Sequence, residues 1–230
     1  MQFFDLSGAN GRRFSPFGWR VRMALAHVGL EQKADVELVT FSQKHKLDFS
    51  GQNLVPVIKD RDQVIFDSWR IASYIDATYG TENSLFGGTD GKSTSRFIAS
   101  WVDSQIHPLI AQCVVRDILD VIDPADREYF RASREKRFGM PLEQIVENRD
   151  DTKANLKRTL YPLRKALEVA PFIGGTLATF SDYAVFGALM WARVTSSFEL
   201  LESDDPICTW RERMLDLFDS LGRTELSPHA

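Results

Sequence analysis

VPVIKDRDQVIFDSWRIASYIDATYG, residues 55–80, joins two short apolar runs to a longer amphipathic one. VPVIKD (55–60) and QVIFD (63–67) are short β-branched runs meeting at Arg61-Asp62, which predicts two strands joined as a hairpin. SWRIASYIDATYG (68–80) then reads as a helix, with Ser68 as its expected N-cap and Gly80 as its stop. Pro56 has no N–H to give to a ladder, so it belongs at a strand start or an edge.

Upstream, QFFDL (2–6) is a strand, and a helix is expected from about Pro16 to Val28 with Gly29 as its stop. ADVELVTF (34–41) sets Val36 and Leu38 against Asp35 and Glu37, the period of a half-buried strand. A polar segment with a short helix over Ser42–Phe49 follows. The order βαβ then ββα is that of a thioredoxin-like domain, a mixed sheet with helices on both faces. Downstream, TENSLFGGTDGKSTS (81–95) is rich in Gly, Ser and Thr and reads as a linker. Beyond it no strand is expected, and RFIASWVDSQIHPLIAQCVVRDIL, EYFRASREKRF, LEQIVENRDDTKANLKRTLYPLRKALEV and the segment from Ser181 onward all read as helices. The predicted fold is α+β in two domains: a thioredoxin-like domain over 1–80, the linker 81–95, and an all-α domain over 96–230.

Composition narrows the function. The chain has 230 residues, 43% of them hydrophobic, enough for a substantial core. A net charge of −4 argues against nucleic acid or an anionic membrane as partner. The most basic stretch, RASREKR (131–137), reads as a solvated helix face. Cys113 and Cys208 lie in no metal or redox spacing and read as buried apolar residues in a reducing compartment. Neither a secretory signal nor a membrane span is evident; YAVFGALMWA (183–192) is too short to cross a bilayer and reads as a core helix. The expectation is a soluble, cytoplasmic protein. Histidines 27, 45, 107 and 229 show no metal spacing, and no metal is expected.

Three places carry chemistry. Ser15-Pro16-Phe17-Gly18 sits where a thiol–disulfide enzyme of this layout would put C-x-x-C. At a helix N-terminus the Ser15 hydroxyl suits a thiolate brought by a ligand; it equally suits a plain N-cap before Pro16. At Val55-Pro56 a cis proline would turn the Val55 N–H and C=O outward, to pair with a peptide-like ligand as one more strand. At Asp67-Ser68 a helix start offers N–H groups and a hydroxyl to a carboxylate, and an aspartate to an ammonium. A γ-glutamyl group carries both charges.

Ser15, VPVI (55–58) and DSWRIASYI (67–75), followed by an all-α domain, resemble the cytosolic glutathione transferases. FIGGTLATFSDYAVFGALMWAR (172–193) resembles that family's Gly-Gly turn before a capped, buried helix, with Thr179 as N-cap and Asp182 three residues on, a role in folding rather than catalysis. Within the family, SPFGWR resembles the start of the bacterial β-etherases and the fungal etherase-like transferases, and YFRASREKRFGMPLEQI (129–145) looks like theirs too. RVRMAL is similar in style to the zeta class, whose S-S-C this chain lacks. Ser15 stands where omega-class members carry a cysteine, so deglutathionylation through a protein thiol is not implied.

The resemblance implies that Ser15 hydrogen-bonds the glutathione sulfur. Val55 would pair through its backbone with the cysteinyl unit beside a cis Pro56, and Asp67 and Ser68 would hold the γ-glutamyl end. The glycine carboxylate would fall to Lys44 first and Gln52 second. The acceptor pocket would lie between the domains, lined by the loop Gly8–Phe14, by Phe14 and Phe17, and by Trp101, which could equally be core. Glutathione is the implied co-substrate, and a hydrophobic electrophile, an aryl ether among them, the implied partner. A homodimer is implied as well. Two other readings stay open: a non-catalytic binding or regulatory protein on this fold, and a zeta-like glutathione-dependent isomerase.

Overall fold

The computed structural model describes residues 1–80, 84–225, 227 and 228. Strand β1 (Gln2–Leu6) runs parallel to β2 (Asp35–Val39), with Phe3 opposite Val36. β3 (Val57–Asp60) pairs antiparallel with β1 and with β4 (Gln63–Phe66), giving the sheet order β2-β1-β3-β4. Strand alternation sends Phe3 and Phe4 to opposite faces. Phe3 joins the main core with Ile58, while Phe4 packs in a small cluster with Val39, Leu47 and Val57. Helices α1 (Pro16–His27) and α2 (Ser68–Tyr79) cover the main-core face. The other face is covered by Leu47 of a 3-10 segment, Lys44–Ser50, where a short helix was expected.

The hairpin turns at Arg61, whose φ is 53°. The Tyr74 and Tyr79 hydroxyls donate to Asp60 at 2.7 and 2.5 Å and tie the hairpin to α2. β3 starts at Val57 rather than Val55, because Pro56 has no N–H for the ladder; the Val55–Pro56 bond is cis. The cap of α2 also differs from expectation. Asp67 is the N-cap, its Oδ1 accepting the Trp69 and Arg70 N–H groups at 3.1 and 3.0 Å, and Ser68 is the first helical residue.

The C-terminal part is helical, as expected. Residues 81–83 of the expected linker lie outside the described residues, and the rest of it is not a free tether. Leu85 and Phe86 are buried, the Leu85 carbonyl accepts the Phe180 N–H at 2.8 Å, and α3 (Thr89–Trp101) already begins inside the segment. α3 passes through a π-helical turn (Val102–Ile106) into α4 (His107–Val114). α5 (Ile118–Val121), α6 (Arg127–Phe138), α7 (Leu142–Ile145), α8 (Arg149–Thr159) and α9 (Tyr161–Leu167) follow. α10 (Phe180–Thr195) runs through the core, and α11 (Pro206–Ser220) is broken by non-helical backbone at Leu217–Asp219.

α10 is buried nearly all round, and its start is fixed by the Thr179/Asp182 capping box. The Asp182 carboxylate accepts the backbone N–H groups of Thr179, Ile173 and Gly174 at 3.0, 2.7 and 3.0 Å, and the Trp210 indole N–H at 3.0 Å. α10 also carries the first domain. Trp19 of α1 meets Phe186 edge to face at 6.0 Å, and Gly187 lets the two helices close. Cys113 is buried, whereas Cys208 is only half-buried, near the end of α11's first turn. Among the described residues no helix is long and apolar enough to cross a membrane.

Candidate active site

A cavity of about 610 Å³ opens between the sheet and the helical part. From the first side come Phe14, Ser15, Phe17, Lys44 and Val55; from the second, residues of α4, α6 and α10.

Ser15 is placed by two close approaches. It caps α1: its Oγ accepts the Gly18 N–H at 3.0 Å and its carbonyl accepts the Trp19 N–H at 3.0 Å. Gly18 sits against Asp5, and a Cβ there would come within 1.9 Å of the Asp5 carboxylate. Asp5 is itself held by Arg13 at 2.8 Å. Ser15 is 5% exposed and faces the cavity. With a lone pair engaged by Gly18, its hydroxyl proton is left to donate. The plain-cap reading of Ser15 and the ligand reading therefore coexist in one geometry.

Around it the expected residues divide. Val55 lines the cavity, with the buried cis Pro56 just behind it. Lys44 lines it too, its Nζ 3.2 Å from the Tyr129 hydroxyl and 5.2 Å from that ring's centre. Gln52 does not: its amide donates to the Ser50 Oγ at 2.9 Å and accepts the Leu54 N–H at 2.6 Å, bracing its own loop. Asp67 and Ser68 lie outside the cavity wall. The capping bonds use Asp67 Oδ1 and leave Oδ2 without a hydrogen-bond donor among the described residues. Asp67 acts electrostatically on the buried Arg20, which is bonded to Asp103 at 2.6 Å.

On the acceptor side, Phe14 and Phe17 line the cavity, but the rest of the loop Gly8–Phe14 does not. That loop is docked on the helical part: a Cβ on Gly8 would meet the Val121 carbonyl at 2.3 Å, and Arg12 donates to the Val194 carbonyl at 2.8 Å. Trp101 is absent from the lining and packs against the core instead. The helix face that reaches the cavity carries Asp103, His107 and Ala111, spaced by four, and Trp101 lies two residues from Asp103, on the opposite side. His107 fills the place, its ring edge-on to Phe17 at 5.1 Å and to Trp191 at 6.0 Å. Burial, reinforced by the neighbouring Arg20 charge, pushes His107 down to about 3, so the imidazole is neutral at ordinary pH.

α6 is the largest departure. The basic stretch read as solvated does expose Ala132, Lys136 and Arg137, yet the half-buried Arg134 and the rim residue Arg137 line the cavity beside Phe130 and Phe138. Phe130, Arg134, Arg137 and Phe138 share one helical face, and that spacing was the signal available in the sequence. Among the described residues, Arg131 is the one of this stretch that behaves as a surface ion-pairing residue, bonded to Glu135 and Glu143 at 2.9 and 2.8 Å.

Family models match both parts of the chain: "Glutathione S-transferase, N-terminal domain" over residues 14–78 and "Glutathione S-transferase, C-terminal domain" over residues 94–216. A probable glutathione S-transferase, GSTF1 of Oryza sativa subsp. japonica, is 22% identical over 206 residues, 85% of each chain. In overall shape the chain is similar to the glutathione transferase GSTFuA3 of Phanerochaete chrysosporium, with a TM-score of 0.80 and 22% identity over 95% of this chain and 96% of that one. It is also similar to CsGST63524 of Ceriporiopsis subvermispora, a glutathione S-transferase crystallised with glutathione, with a TM-score of 0.78 and 19% identity over 100% and 99% of the two chains.

Proposed function

The chain belongs to the glutathione S-transferase family, and on that premise we propose that it binds glutathione at the Ser15 wall of the cavity and directs the thiolate at a hydrophobic electrophile. The observation that carries this reading is the Ser15 geometry: an oxygen that already accepts from Gly18 and an O–H left to donate toward the cavity. An ordinary thiol titrates near 8.5, and lowering it by about two units takes roughly 2.7 kcal/mol. A charge-assisted hydrogen bond contributes about 1.5–3 kcal/mol and a helix N-terminus about 0.3–1 kcal/mol, which together meet the need.

In this reading Val55 pairs through its backbone with the cysteinyl unit, next to Pro56. Asp67 offers its open Oδ2 to the γ-glutamyl ammonium, while Ser68 and the α2 N-terminus face the carboxylate. Lys44 takes the glycine carboxylate; Gln52, committed to its own loop, is set aside. Phe14 and Phe17 hold the electrophile. For an aryl ether, which the SPFGWR start favours, a sulfur–carbon bond forms as the carbon–oxygen bond breaks and the electron pair leaves on the aryl oxygen. Proximity in a walled cavity supplies much of the rate. A cytoplasmic homodimer completes the proposal.

Calorimetric titration with glutathione tests it. The native protein is expected to bind, and Lys44→Ala to bind about tenfold more weakly, the loss of one charge-assisted contact. An absence of heat on the native protein, with equilibrium dialysis also negative, overturns the reading.

A further inference from the structure

The electrostatic character of the cavity goes beyond this reading and deepens it. In a chain of net charge −4, the cavity wall carries three cations, Lys44, Arg134 and Arg137, against one carboxylate, Asp103. Asp103 is already neutralised by Arg20 at 2.6 Å, and His107 carries no charge. The three cations have no such partner among the described residues. Lys44 contacts only the Tyr129 hydroxyl and two rings. The sole hydrogen bond of Arg134 goes to its neighbour, the Ser133 hydroxyl, at 3.0 Å. Glu135, the acid of the same helix next to Arg134, is committed to Arg131.

Arg134 is also held for recognition rather than left loose. Its guanidinium lies over the rings of Phe130 at 4.7 Å and Phe41 at 5.7 Å, which fix a flat, fork-shaped donor against an aromatic wall. Burial and the neighbouring Arg137 lower its proton affinity, though an arginine stays charged, so the free cation is desolvated and in want of an anion. Phe14, Phe41 and Phe130 continue the same wall, with ring centres 6.4 and 5.5 Å from Phe41.

We propose that Arg134, supported by Arg137, is the specificity-determining residue of the acceptor pocket and selects an aromatic acceptor that bears a negative charge, a carboxylate or its equivalent. The arene packs on the Phe41/Phe130 wall and the anion meets the guanidinium fork. Lys44 is left to the tripeptide. This inference rests on the glutathione reading for the identity of the second substrate, but the anion site can be measured without it.

The test compares two isosteric probes, 1-naphthoate and 1-naphthamide, by calorimetry on the full chain, with and without saturating S-methylglutathione. The native protein is expected to bind naphthoate at least about tenfold more tightly than naphthamide, as one charge-assisted contact requires. Arg134→Gln should reduce that preference to within about threefold, Arg134→Lys should restore part of it, and Arg137→Gln should have a smaller effect. Equal affinity of the two probes for the native protein overturns the proposal even if Arg134→Gln fails to fold. An undiminished naphthoate preference in a folded Arg134→Gln also overturns it. If S-methylglutathione does not bind while naphthoate binds through Arg134, the glutathione reading fails and the anion site stands.

Discussion

A Cβ on Gly187 would stand 2.4 Å from the carbonyl oxygen of Pro16, so α10 presses on the first turn of the helix that Ser15 caps. The buried helix of the second domain thereby sets the position of the candidate sulfur-binding group of the first. Gly187→Ala is expected to cost about 1–3 kcal/mol by overpacking. It should lower the melting temperature by several degrees and weaken glutathione binding at the same time. Differential scanning calorimetry paired with a glutathione titration checks both; a loss of stability with unchanged affinity would separate α10 from the site.

Asp182 holds five donors, three backbone N–H groups, the Thr179 hydroxyl and the Trp210 indole, in a buried setting. Asp182→Ala leaves all of them without a partner, at about 1–3 kcal/mol for each that water cannot reach. A total of roughly 3 kcal/mol or more is expected, with Asp182→Asn milder. The midpoint of denaturant unfolding reads the loss. Glutathione affinity of the folded fraction should not change, since Asp182 stands away from the cavity wall.

His107 makes the stability of the protein acid-sensitive. Its native value is lowered to about 3 by burial and by Arg20, against roughly 6.5 in the unfolded chain. The unfolded state therefore binds the proton first as pH falls, and stability is lost from about pH 6.5 downward. By about pH 5 the loss is of order 2 kcal/mol as an upper bound. His107→Gln should flatten the fall of the melting temperature between about pH 7 and 5; an unchanged slope would place the acid sensitivity elsewhere.

Trp191 lines the cavity and Trp101 does not. Trp191→Phe is expected to change kcat/KM for an aryl electrophile severalfold, while Trp101→Phe leaves it within about twofold, the usual margin of a substitution away from the site. Steady-state kinetics at saturating glutathione distinguish them. Equal sensitivity would return Trp101 to the acceptor wall.

Much of this was legible in residues 1–80, because strand alternation, a proline at a strand start and a helix start each have a local signature. Ser15 and Val55 have such signatures, Lys44 came only with the family resemblance, and the three stand on one cavity. Asp67, not the expected Ser68, caps α2: either residue type caps well, and only the bonds from the Trp69 and Arg70 N–H groups to Asp67 Oδ1 decide between them. The second domain was harder to read. Its helices were expected, but which face of each meets the cavity depends on tertiary packing. The π-helical turn after Trp101 hid the Asp103–His107 face, and the charge of RASREKR concealed that Arg134 and Arg137 share a face with Phe130 and Phe138. Composition alone assigns such a run to solvent; the Arg134 guanidinium lying over the Phe41 and Phe130 rings reverses that for one residue of it.

In the proposed function the Ser15 hydroxyl, by donating to the sulfur, stabilises the thiolate of bound glutathione. Ultraviolet absorbance of the bound thiolate, followed across pH on the native protein and on Ser15→Ala, tests it most directly. In the native complex the thiol should titrate below neutral pH, and in the variant it should return about two units toward its ordinary value near 8.5. A thiol that titrates identically in both proteins would contradict it and leave Ser15 as the cap of α1 alone.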